Sequence, residues 1–178
     1  MNGSAKPLLE GLSRLFVAAL LFFVLPHGYA AEGLSPGRQA EQWEEAAKLR
    51  LQAARGHEMQ AARRREEMFT FTDILPTPGD ALDSAGDEKY SASEDYQRAS
   101  KNWENAAKAF KTAGEPDKAK DALQNAAMAW EAARRTLGEG TELYKMAEER
   151  FEIINDLDKK TKVVKKSARN IERLMEMK

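Results

Sequence analysis

Residues 106–127 read AAKAFKTAGEPDKAKDALQNAA, and two helices with a turn between them are written in that run. Alanine, lysine, leucine and glutamine are good helix formers. The apolar residues Ala107, Phe110, Ala119, Ala122, Leu123 and Ala126 recur mostly at threes and fours, the spacing of one helix face. Gly114-Glu-Pro-Asp117 interrupts them as a tight turn, with Asp117 as N-cap and Pro116 just before it. The first helix is expected to start near Ser93 or Glu94 and to end at about Ala113. The second carries Trp130 and Ala133 further on. Leu137-Gly-Glu-Gly140 reads as its stop, with Thr141 capping the next helix.

Downstream, Leu143, Ala147, Phe151, Ile154, Leu157, Thr161, Val164, Ala168, Ile171 and Leu174 recur close to the 3.5-residue period of a coiled-coil seam. That predicts one long helix over 141–178, or two joined near Asn155–Asp158. Upstream, residues 76–95 are rich in Pro, Gly, Ser and Asp and read as a loop. The expected organisation has an acidic linker at 69–95 between an N-terminal helical segment (31–68) and a helical domain (96–178). A structureless loop that long favours a linker or a segment ordered by a partner. The linker region 73–95 holds seven acids against Lys89 alone, and 159–178 holds eight bases against Glu172 and Glu176. The two stretches are suited to attract each other or separate partners.

The N-terminus predicts a destination. Lys6 and Arg14 precede the apolar run Leu15 to Leu25, Pro26 breaks it, and Gly28 and Ala30 stand at the small-residue places of a cleavage site before Ala31. Residues 1–30 therefore read as a signal peptide, too short in its apolar part to span a bilayer that needs roughly 20 residues. The expected location is periplasmic or extracellular, with membrane contact only through the signal segment.

Composition narrows the chemistry. The chain of 178 residues is 42% hydrophobic, much of it alanine, and 32% charged, with a net charge of −1. That favours a thin, elongated core and gives no bulk pull toward nucleic acid. There is no cysteine, which removes disulfides, thiolate metal sites and cysteine nucleophiles. Outside the signal segment His57 is the one histidine and reads as a solvated residue of an arginine-rich helix. Asp80, Asp83, Asp87 and Glu88 lack the order of a calcium loop. No catalytic residue, metal or cofactor is expected, and the chain reads as a non-enzyme. Trp43, Trp103 and Trp130 are expected in the core, with a partner-binding anchor as the alternative reading.

The phrase Trp43-Glu-Glu-Ala-Ala-Lys48 returns as Trp103-Glu-Asn-Ala-Ala-Lys108 and, loosely, as Trp130-Glu-Ala-Ala-Arg134. Trp103, Ala107, Phe110, Gly114, Ala119, Leu123 and Ala126 together resemble a tetratricopeptide repeat, SNAP-like in phrasing, over about residues 100–133. The closing proline of that repeat is missing, with Glu131 in its place. The resemblance implies an all-α fold of antiparallel helical hairpins of tetratricopeptide-like type, ending in a long C-terminal helix or coiled coil. Since one repeat cannot bury its own faces, flanking helices or another chain must complete it.

The resemblance also implies a ligand face at Lys101, Glu104, Lys108, Lys111 and Thr112, opposite Trp103 and Phe110. Its three lysines suit an acidic segment or a chain-terminal carboxylate. The expected function is an exported scaffold or adaptor for protein–protein interaction in the cell envelope or periplasm. The alternative is a structural coiled-coil subunit of an envelope complex, self-associating through 141–178.

Overall fold

The computed structural model describes residues 33–67 and 77–177. Residues 1–30, which carry the signal-peptide reading, and residues 68–76 lie outside the described residues. Among those described, the chain is all-helical: α1 is Pro36–Glu67, α2 Pro78–Thr112, α3 Pro116–Ile153 and α4 Leu157–Glu176. Ser35–Lys178 forms one compact unit.

The turns follow from local chemistry. Gly114 (φ 78°) ends α2; its N–H donates to the Lys111 carbonyl, and that of Glu115 donates to the Phe110 carbonyl at 2.9 Å. This is the paired pattern of a Schellman cap. Pro116 then opens α3 at its first position, where no N–H is needed. Asn155 (φ 57°) repeats the device at the end of α3, with Asp156 N–H donating to the Phe151 carbonyl at 2.9 Å. The Asp156 side chain in turn accepts from the Lys159 N–H and caps α4.

Two expected breaks are absent. The stretch 77–95, expected as linker, is the first half of α2. Pro78 sits at its first position, and Thr77 and Asp80 exchange side-chain-to-backbone hydrogen bonds as a capping box. Its glycines are packing positions. A Cβ at Gly79 would lie 2.6 Å from the Phe151 ring, and one at Gly86 would collide with the Tyr144 ring. Likewise Leu137-Gly-Glu-Gly140 does not stop α3, which runs through to Ile153. Gly140 faces the Lys89 Cβ at 3.1 Å from where its own Cβ would stand. Thr141 caps nothing; its hydroxyl donates back to the Leu137 carbonyl at 2.9 Å. In both places burial against a neighbouring helix outweighs poor helix propensity.

Small residues at every seventh place hold the helices close. Ala40, Ala47, Ala54 and Ala61 of α1 are all buried, as are Ala85, Ala92, Ala99 and Ala106 of α2 and Ala119, Ala126, Ala133, Gly140 and Ala147 of α3. A seven-residue repeat holds one seam against its neighbour when helices coil left-handedly. Contacts climb one helix while descending the next. Arg50 meets Asp95 and His57 meets Glu88 between α1 and α2, while Gly79 meets Phe151 and Gly86 meets Tyr144 between α2 and α3.

The last helix is packed differently. α4 packs against α3 and runs in the same direction as α2, its long basic side chains reaching across to pair Lys159 with Asp80, Lys166 with Asp83 and Asp87, and Arg173 with Glu94. The acidic and basic stretches do attract each other. Few of its inward residues are apolar: Val163 and Met177 are buried there with Ser167 and Asn170, and the Asn170 amide has no hydrogen-bond partner among the described residues. Of the expected seam, Leu143, Ala147 and Phe151 are core on α3 and Leu174 packs against the core, but the rest of its α4 part faces outward. Leu157 is 63% exposed, Val164 40% and Ile171 42%, and Ala168 is exposed with them.

Candidate functional site

Lys101, Glu104, Lys108, Lys111 and Thr112 are all exposed on α2, while Trp103 and Phe110 behind them are buried. The structure thus places the five residues on one open face. Lys101 and Glu104 line a groove of about 370 Å³ with Glu94, Gln97, Ser100, Trp130 and Arg173. Lys108, Lys111 and Thr112 continue the face toward the end of α2. The Thr112 hydroxyl donates to the Lys108 carbonyl at 3.0 Å, so it is partly committed to its own helix. No ion pair engages Lys101, Lys108 or Lys111 among the described residues.

The tryptophans divide. Trp103 is core, 5% exposed, packed with Ala40, Ala47, Phe110 and Ala126. Trp43 and Trp130 are not core; they are 42% and 36% exposed. Leu123, read as part of the apolar helix face, is 56% exposed. Trp130 is the member of the groove that charge pattern alone did not single out. Its visible signal was its place in a heptad of large residues on α3.

His57 is engaged rather than solvated. Its Nδ1 lies 2.7 Å from Glu88 Oε2 and its Nε2 3.8 Å from Asp95 Oδ2. The neighbouring Tyr96 hydroxyl donates to Glu58 at 2.8 Å; burial, then that carboxylate, pushes the phenol up to about 12. This cluster ties α1 to α2. Among the described residues no group of acids and histidines is arranged to hold a metal, and no helix is long and apolar enough to cross a membrane.

The electrostatics at the α4 end are firmer. Asp80 is half-buried, and burial would raise its pKa. The hydrogen bonds from Lys159 and Thr77 outweigh that and hold it below the usual carboxylate value. Lys166 has the mirror situation: burial would lower it, and Asp83 and Asp87 hold it above the usual lysine value. The Lys159 and Lys166 ammonium groups also stand 5.5 Å from the ring centres of Phe151 and Tyr144, within cation–π range.

Comparison of the chain with protein-family models, curated proteins and solved structures gives no match.

Proposed function

We propose that this chain is an exported helical scaffold or adaptor that holds another protein, with a tetratricopeptide-like hairpin formed by α2 and α3. The observation that carries this reading is the groove beside Lys101, Glu104 and Trp130. It combines a half-exposed aromatic anchor, of the kind enriched at binding hot spots, with Lys101, a cation that no described residue pairs. The exported location rests on the layout of residues 1–30, Lys6 and Arg14 ahead of Leu15–Leu25. A periplasmic or extracellular setting follows from it.

One observation favours a second reading, that of a structural coiled-coil subunit of an envelope complex. The outward stripe Leu157, Val164, Ala168 and Ile171 has the spacing of a seam and, among the described residues, no covering helix. Light scattering after size exclusion, on the protein alone and after mixing with envelope extract, separates the two. An adaptor elutes as a monomer and moves to a discrete larger complex with extract. A coiled-coil subunit is already oligomeric, and V164E/I171E returns it to monomer.

A further inference from the structure

Resting on the scaffold reading, we infer that the open end of the α2–α3 groove binds an acidic amphipathic helix of a partner protein, laid end to end with α4. The case begins with what α4 covers. On α3 one heptad position holds a large side chain at every step: Phe151, Tyr144, Leu137, Trp130 and Leu123. The first three, against which α4 lies, are 1%, 0% and 0% exposed; the next two are 36% and 56% exposed. The track is therefore the same surface throughout, covered for three heptads and partly open for two.

The other wall of the track changes sign where the cover stops. On α2 the series Asp80, Asp87, Glu94 continues by sevens to Lys101 and Lys108, and the series Asp83, Tyr90, Gln97 continues to Glu104 and Lys111. The acids of the covered part receive Lys159, Lys166 and Arg173, themselves seven apart, from α4. That Glu94, Gln97, Lys101 and Glu104 line one groove together with Arg173 shows the wall to be continuous at the junction. A helix seated on the open part by the same geometry meets lysines instead of acids, with Glu104 the one acid among them. Its complement therefore carries carboxylates at the seven-residue spacing at which α4 carries cations, and apolar side chains against Trp130 and Leu123. A second copy of this chain does not meet the requirement through α4, whose inward charges are basic.

The test uses the full chain and a labelled twenty-residue peptide of the α4 sequence carrying K159E, K166E and R173E. The unchanged α4 peptide is the control. Fluorescence anisotropy at low salt is expected to show binding of the charge-inverted peptide and not of the control. In K101E/K108E, both substitutions on exposed side chains, the charge-inverted peptide should bind roughly tenfold more weakly, since exposed pairs contribute modestly each. The control peptide should now bind. Added salt should weaken both complexes. Equal binding of the inverted peptide to wild type and K101E/K108E overturns the proposal, as does no binding up to about 1 mM peptide. So does a chain that dimerises through a surface sensitive to K101E/K108E.

The scaffold reading fails separately. A complex recovered from extract that ignores K101E/K108E leaves the scaffold standing and overturns the acidic helix. Peptide binding that obeys the charge swap, with no complex from extract, upholds the groove and removes the scaffold role.

Discussion

At the scale of single residues the glycines carry the sharpest contrast. Gly86 takes the Tyr144 ring where its Cβ would stand, whereas Gly138 has nothing within 4 Å. Both lie inside helices, so both pay the backbone entropy of glycine. Gly86→Ala is expected to cost about 2 kcal/mol through overpacking, and Gly138→Ala to stabilise by about 0.5–1 kcal/mol. Urea unfolding of the two variants checks the opposite signs. Asp80 supplies a pH dependence. Its pKa lies below the ordinary value of 3.8, so its contribution is present above pH 3.8 and is lost as pH falls below that, through its lowered value. Lys166 is held above 10.5, so its contribution is present below pH 10.5 and is lost as pH rises beyond it. Stability measured across pH should decline at both edges, and Asp80→Asn should flatten the acid edge.

At the scale of elements, α4 is a helix with its apolar stripe turned out. Val163 is 1% exposed and its neighbour Val164 40%, so one residue step crosses from packed face to open face. Val163→Ala is expected to cost about 2 kcal/mol, from lost burial and the cavity left behind. Val164→Glu should change stability by no more than about 0.5 kcal/mol, whatever it does to association. Chemical denaturation of the isolated protein distinguishes these values. The pattern of 143–174 made the seam legible in the sequence, but not which side of the helix the rest of the chain covers. The charges decide that: Lys159, Lys166 and Arg173 find acids on α2, and the apolar stripe is left outside.

At the scale of the molecule, α1, α2 and α3 are joined by buried alanine and glycine heptads, while α4 is joined largely by ion pairs over a thin apolar strip. Hydrogen exchange should therefore find α4 the least protected of the long helices. Raising salt should speed exchange in α4, because half-exposed ion pairs are screened, and leave the Gly79–Phe151 and Gly86–Tyr144 region unchanged. Uniform protection across all four helices at every salt concentration would contradict this division.

The all-helical class, the turn at Gly114–Pro116 and the junction near Asn155 follow from the sequence by itself, because caps, proline and left-handed positions act locally. The exposed stripe from Lys101 to Thr112 was legible for the same reason: helical spacing places those residues together whatever surrounds them. Tertiary structure alone decided that 78–95 is helix, since its glycines and serines look like loop until Phe151 and Tyr144 are set against them. It alone decided that Trp130 and Leu123 stay open while Trp103 is buried. Exposure depends on where the covering helix runs along the track, which no local pattern contains.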